Sequence, residues 1–305
     1  MTLSDPASIW PGLMESARTI LRGEVGYPPR LAAIEEPPER LRLRGDLGAP
    51  GRMRAAVVGS RRCDEYGRDM ARAIAAGLAR AGVSVVSGGA QGVDGAAHQG
   101  ALEAGGHTVA VLGGGVDVVF PPGHGPLFDR ILAAGGALLS EQEDGHRPER
   151  WTFPRRNRIV SGLSDAVVVV QAAEGSGALI TADWARRQGV LLLAVPGEAT
   201  NPLSQGPIGL LRNGARVAGS AADVLAALGL DGQAGLPLPE RAAPELDGEA
   251  AAVYAALSRT PRHAGQVAQA AGLEPGAALA ALLALELEGL AEQRPGQRFL
   301  KVAPR

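Results

Sequence analysis

Residues 54–62 read Arg54-Ala55-Ala56-Val57-Val58-Gly59-Ser60-Arg61-Arg62, a short apolar run that stops at glycine. A continuous run of this kind fits a strand covered on both faces, and the glycine fits a tight turn into a helix. Six further runs repeat it: Val83–Ser87, Thr108–Leu112, Ala137–Ser140, Ala166–Gln171, Val190–Val195 and Ala215–Ala218. Their starts lie about 24 to 30 residues apart, the length of a strand plus a returning helix. Between them the apolar period becomes helical. Met70, Ile74 and Leu78 recur every four residues within 66–81, and Ile180 and Trp184 do so before Gln188-Gly189. This alternation predicts an α/β domain with a doubly wound parallel sheet over 51–228.

The 305 residues suffice for two domains. Residues 229–247, with Gly232, Gly235, Pro237, Pro239 and Pro244, lack periodicity and read as a linker. Beyond it, 248–305 reads as helices Glu249–Leu257, His263–Ala271 and Pro275–Glu288, then a hairpin of Leu290–Arg294 and Gln297–Val302 around Pro295-Gly296. Three helices and a two-stranded ribbon predict a winged helix. Residues 1–50 carry Pro28, Pro29, Pro37 and Pro38 and read as a short helical or extended segment with one helix around Pro11–Leu21.

Hydrophobic residues at 46% and charged residues at 20% exclude a disordered or collagen-like chain. Cys63 stands alone, so no internal disulfide or cysteine zinc site forms, and the five histidines lack metal-ligand spacing. These features predict a reducing compartment, with no metal and no cofactor. Asp5, Glu15 and Glu24 interrupt any signal-length apolar core, and no 18-residue apolar run occurs, so the chain is expected to be cytoplasmic without a membrane partner. A net charge of -2 excludes a general basic coat; any nucleic-acid contact must come from a local concentration of charge. Lys301 is the only lysine among 30 basic residues, so cationic contacts are planar guanidinium forks, whether or not genome composition is the cause.

In an open parallel sheet, ligands gather at the carboxyl ends of the strands. There stand Gly59-Ser60-Arg61-Arg62, Ser87-Gly88-Gly89-Ala90-Gln91-Gly92-Val93-Asp94 and Gly113-Gly114-Gly115-Val116-Asp117. Such loops can present bare amides to a phosphate, or can simply let strand and helix reverse closely. The first turn is not G-x-G-x-x-G, and no acidic residue follows the second strand, which argues against a dinucleotide. No phosphate-loop lysine exists, which excludes nucleotide hydrolysis of that type.

The densest local signal is 147–158, Arg147-Pro148-Glu149-Arg150-Trp151-Thr152-Phe153-Pro154-Arg155-Arg156-Asn157-Arg158, with five arginines, one acid and two aromatics. Guanidinium forks for phosphates beside a ring for a base have the composition of a single-strand platform. The competing reading is a solvated arginine-rich helix start with Phe153 and Trp151 packed inward. Ser176 either only caps the next helix or does so while Gly177 and Ala178 amides face a phosphate. Asp94 and His98 share a helix face, and a structural role is favoured over acid–base work because no nucleophile or third carboxylate completes a set.

These motifs together resemble the DNA-processing protein A family (DprA, also called Smf) over about Tyr27 to Leu228. The resemblance rests on Tyr27-Pro28, Arg44-Gly45-Asp46, Val58-Gly59-Ser60-Arg61 with Tyr66-Gly67, and Ser87-Gly88-Gly89-Ala90 with Gly92-Val93-Asp94 and Ala97-His98. Phe120-Pro121-Pro122, Ser140-Glu141, Phe153-Pro154 with Arg156-Asn157-Arg158-Ile159, Ser176-Gly177 with Leu179-Ile180-Thr181-Ala182, and Val195-Pro196-Gly197 complete it. It implies an extended Rossmann-like domain that binds single-stranded DNA without catalysing a reaction, dimerises, and loads the RecA recombinase during natural transformation. Carried over, it implies a site of Gly59, Ser60, Arg61, Gly88, Arg150, Phe153, Arg156, Asn157, Ser176 and Gly177. Arg61 would meet a phosphate, Phe153 a base, and Arg150 the strand, with Arg156 and Asn157 holding the loop or backbone. Ser60, Gly59 and Gly177 would allow close backbone approach.

The chain departs from the family at Gly175, where a basic residue is frequent, and at Gln171, where an acid is common. The usual helical domain before Tyr27 is also expected to be absent or cut to one helix. The third winged-helix helix lacks Arg and Lys and carries Glu286 and Glu288, so protein contact, or weak DNA contact through Arg294, Arg298 and Lys301, is expected rather than duplex reading. The alternatives are a Rossmann-like nucleotide or nucleoside-monophosphate hydrolase using Asp94 or Glu174, and a protein scaffold.

Overall fold

The computed structural model describes residues 17–230, 246, 248–258 and 261–302. In chain order the first unit contains β1 (Arg18–Leu21), α1 (Pro29–Ala32), β2 (Arg40–Gly45), β3 (Arg54–Val58), α2 (Glu65–Arg80), β4 (Ser84–Ser87), α3 (Val93–Glu103), β5 (Thr108–Val111) and α4 (Gly125–Ala133). There follow β6 (Ala137–Ser140), α5 (Thr152–Gly162), β7 (Ala166–Val169), α6 (Gly177–Arg187), β8 (Leu191–Ala194), α7 (Gln205–Arg212), β9 (Arg216–Val217) and α8 (Ala221–Ala227). All seven expected strands form, within one or two residues of their expected ends.

The sheet runs β1-β2-β6-β5-β4-β3-β7-β8-β9. Strands β3 to β9 are parallel, and the chain winds outward in both directions from the β3/β7 boundary. Alternate residues of the inner parallel strands β3 to β8 enter opposite cores. Ala55, Val57 and Val168 pack with Ile74, Leu78 and Ala97 of α2 and α3. Ala56, Val58 and Val169 pack with Ile159, Val160 and Ala182 of α5 and α6. Burial on both faces explains the unbroken apolar character of the runs.

The N-terminal expectation needs correction. Of the helix expected around Pro11–Leu21, residues 11–16 lie outside the described residues, and Arg18–Leu21 is a strand antiparallel to β2. Strand β2 pairs antiparallel with β6, so an antiparallel pair is added to the parallel sheet and a boundary at residue 50 falls inside this unit. The stretch Arg40-Leu41-Arg42-Leu43-Arg44 alternates strictly; Leu41 and Leu43 are buried and the arginines are not, the period of a strand with one covered face. Ladder pairing then overrides any local helical preference of the short β1.

The second compact unit, 236–305, contains α9 (Gly248–Ala256), β10 (Arg262–His263), α10 (Ala264–Ala271), α11 (Pro275–Leu287), β11 (Ala291–Arg294) and β12 (Arg298–Lys301). It forms a winged helix with a small antiparallel sheet, β10-β12-β11, around Val253, Val267, Leu282 and Phe299. Of the expected linker 229–247, residues 231–245 and 247 lie outside the described residues. No single helix among the described residues is long and apolar enough to cross a membrane.

Candidate nucleic-acid interface

At the β3/β7 boundary the loops after the two strands diverge, and a cavity of about 490 Å³ opens there. All ten residues expected at the site line it: Gly59, Ser60, Arg61, Gly88, Arg150, Phe153, Arg156, Asn157, Ser176 and Gly177. Arg62, Asp94, Ile180 and Thr181 also line it and were not singled out for it from sequence. Its charged wall is four arginines, 61, 62, 150 and 156, against one acid, Asp94.

The rim is built by the turn after β3 and the start of α5. The Ser60 amide donates to the Gln171 carbonyl at 2.6 Å, and the Ser60 hydroxyl accepts from the Arg62 amide at 3.1 Å, which fixes the turn. Arg61 then lies over the Phe153 ring, its guanidinium carbon 4.6 Å from the ring centroid. That is cation–π distance, so the pair presents charge and ring side by side. Across the cavity, Ser176 caps α6 by accepting from the Ala178 amide at 3.4 Å, and Asn157 donates to the Gly177 carbonyl at 3.0 Å. Asn157 therefore holds the α6 entry from α5.

Arg156 forms the floor. It is buried, and its Nη1 donates to the carbonyls of Gly88 and Val111. Burial pulls its guanidinium down to about 10, opposed by Asp94 beside it; burial pushes the Asp94 carboxyl up, opposed chiefly by Arg156. A methyl group at Gly88 would stand 2.5 Å from both terminal nitrogens of Arg156 and from Asp94 Oδ2. Asp94 and His98 do not converge as an acid–base pair. His98 is buried, and its Nδ1 meets the Thr108 hydroxyl at 2.8 Å.

The arginine-rich segment divides. Arg158 turns inward to the Glu36 carbonyl, at 2.8 Å, and to Glu141; Arg155 also pairs with Glu141, at 2.6 Å. Trp151 donates to Glu149 at 2.8 Å and lines a separate groove with Pro37 and Arg40. Arg150, Phe153 and Pro154 are thus the members of 147–158 that line the cavity above the Arg156 and Asn157 floor. Gly175 has φ of +74°, a left-handed backbone that disfavours a basic side chain, and Arg62 and Arg150 supply cations to the same cavity. In the wing, Arg294 pairs with Glu292 at 3.1 Å, and Lys301 lies 3.8 Å over the Tyr254 ring, so two of its three cations are engaged internally.

A doubly wound sheet with an arginine-lined cleft at its switch point, followed by a winged helix, defines an extended Rossmann-like protein with a candidate binding site at the carboxyl ends of its strands. The family model "DNA recombination-mediator protein A" matches residues 18–229, and "DprA winged helix domain" matches 237–297. The chain belongs to the DNA recombination-mediator protein A (DprA) family. It is 46% identical over 246 residues to the putative DNA processing protein DprA of Mycobacterium tuberculosis, covering 80% of this chain and 63% of that one. It is 45% identical over 189 residues to Escherichia coli protein Smf, covering 62% and 50%, so it spans about half to two thirds of the length of these relatives. The solved Streptococcus pneumoniae DprA superposes with a TM-score of 0.64 at 36% identity, covering 69% of this chain and 74% of that one. A Helicobacter pylori DprA structure, described for its single-stranded DNA binding mode, superposes with 0.60 at 28%, covering 70% and 96%.

Proposed function

We propose that this chain binds single-stranded DNA in the switch-point cleft without preference for sequence and catalyses no reaction on it. In this reading it acts in the cytoplasm as a homodimer in DNA processing during natural transformation, passing the strand to the RecA recombinase. The observation that carries the reading is the Arg61–Phe153 pair at 4.6 Å on the rim of an arginine-lined cavity. A guanidinium for a phosphate beside a ring for a base is the minimal unit of sequence-tolerant single-strand recognition. The likeness to a Helicobacter pylori protein described as binding single-stranded DNA supports it.

Anisotropy titrations with a labelled oligothymidine test the cleft. Affinity should fall with salt at a log–log slope of about -0.7 per neutralised phosphate, and Arg61→Glu should flatten that slope and weaken binding. Unchanged curves for Arg61→Glu and Phe153→Ala would remove the cleft from the reading. Turnover of a nucleoside monophosphate would favour a hydrolase instead. Recombinase loading is read separately, as faster RecA filament growth on strands coated with single-strand-binding protein.

A further inference from the structure

Helix α11 gives one face to the winged-helix core and leaves the other bare. Ala278, Ala281, Leu282 and Leu285 are buried, whereas Gly276, Ala280, Leu283, Ala284 and Leu287 form an exposed stripe on the opposite side. Leu283 is 44% exposed and Leu287 91%. Two leucines held in water along one helix face mark a contact surface. Nucleic acid does not suit it, because α11 carries no Arg or Lys, and acids stand at both ends, Glu274 at the N-cap and Glu286 and Glu288 beyond the stripe.

The stripe is graded in size. Its N-terminal half is Gly276 and Ala280, and its C-terminal half carries the leucines. Two copies laid antiparallel, with a two-fold axis level with Ala281 and Leu282, set Leu287 against Gly276 and Leu283 against Ala280. Each knob then meets a hole. Laid parallel, Leu287 would meet its own copy and Gly276 would face a gap.

Charge selects the same arrangement. Acids at a helix C-terminus oppose its dipole, and α11 has no basic residue in its last turn. Parallel copies would set Glu288 beside Glu288. The antiparallel pair instead carries Glu288 to the first turn of the other copy, which holds no acidic residue and whose amides Glu274 does not cap with its side chain. Glu286 is already engaged, accepting from the Gln293 amide at 3.0 Å.

Size decides what kind of partner fits. A helix of 13 residues presents a face about 20 Å long and 10 Å wide, well short of the about 800 Å² per partner that a free-standing interface buries. A contact this small holds when two chains are already joined elsewhere, at an effective concentration in the millimolar range. A second copy in a homodimer meets that condition.

We infer that α11 is a self-association surface, pairing antiparallel with α11 of a second copy of this chain. The inference rests on the homodimer reading above and adds a contact to it.

The test uses the full chain, whose single cysteine, Cys63, is buried. Chains bearing Gly276→Cys and Leu287→Cys, co-expressed with different tags, should be joined to each other by a short bismaleimide. Neither should be joined to itself, since like positions in the antiparallel pair lie about 16 Å apart along the axis. Leu283→Gln with Leu287→Gln, both at exposed positions, should raise the dimer dissociation constant in sedimentation equilibrium about tenfold or more. A Leu287→Cys chain crosslinked to its own kind would mean a parallel pair and overturn the register. A dimeric wild type with no mixed crosslink, and an unchanged constant in the double variant, would refute the surface while the homodimer stands, and would give the stripe to another protein or to none. A wild type that stays monomeric would remove the homodimer reading and the pairing with it.

Discussion

Arg156, carried on α5, donates to the carbonyl of Gly88 at the end of β4 and so ties the helix that bears Phe153 to the glycine loop opposite. The guanidinium also neighbours the buried Asp94, so removing it would strand a carboxyl and two carbonyls. Breaking one partner of a buried charged pair costs about 3–5 kcal/mol. Arg156→Met should lower the stability of the larger unit by that order in urea unfolding, and Gly88→Ala should destabilise it through the same contact. A small effect for both would mean that the floor relaxes around the loss.

Arg61 differs in kind, because it is exposed and forms no ion pair among the described residues. Arg61→Lys keeps the charge but loses the planar face over Phe153. Stability should stay within about 0.5 kcal/mol, as for an ordinary surface change. Affinity for oligothymidine should fall by about 0.5–1.5 kcal/mol, the worth of one hydrogen bond lost when a point charge replaces the guanidinium fork at the phosphate, with little change in salt slope. Equal binding by the wild type and the Arg61→Lys variant would reduce the residue to a point charge.

How far the sequence discloses this site depends on which period is read. The β-branched runs and their terminal glycines place the switch point, because strands buried on both faces leave an unmistakable apolar record. Strand β2 is equally legible, since Leu41 and Leu43 alternate with arginines, but the surrounding prolines draw attention to loops. In 147–158 composition alone misleads. Arg156 lies four residues after Thr152 and three to four before Ile159 and Val160, on the buried face of α5, so helical spacing distinguishes it from exposed Arg155. Asp94 as the companion of Arg156 has no such signal. It arises from tertiary approach between α3 and α5, which local sequence does not encode.

His98 should govern part of the acid response. Thr108 donates its hydroxyl proton to the Val85 carbonyl at 2.8 Å, so His98 Nδ1 must donate to Thr108, while Nε2 is buried without a partner among the described residues. Burial holds the ring down to about 3, against about 6.5 unfolded. Below pH 6.5 the unfolded chain binds the extra proton, so this contribution is intact above 6.5 and is lost as pH falls toward 3, at about 1.4 kcal/mol per unit. Asp94 acts oppositely, since a raised carboxyl favours the fold at low pH. The difference between wild type and His98→Asn isolates the histidine: it should shrink as pH drops below 6.5, and a pH-independent difference would contradict the assignment.

Gln171 donates through Nε2 to Asp64 Oδ1 at 2.8 Å and accepts from the Asp64 amide at 3.2 Å. Asp64 caps α2, also accepting from the Gly67 amide at 2.9 Å and from Asn201 at 2.9 Å, and these hydrogen bonds hold its carboxyl below the ordinary value despite burial. Gln171→Glu would set a buried carboxylate against that cap. The cost should be about 1–3 kcal/mol at neutral pH, the penalty of an unsatisfied buried polar group. The new carboxyl would be raised by burial and by Asp64, so it favours the fold only while protonated. The deficit should therefore narrow as pH falls through its raised value and be full above it. Denaturation of the two proteins across that range checks the sign. A deficit that widens in acid would mean that the glutamate finds a cation, and the Asp64–Gln171 pair would then not be what fixes the α2 entry beside the cleft.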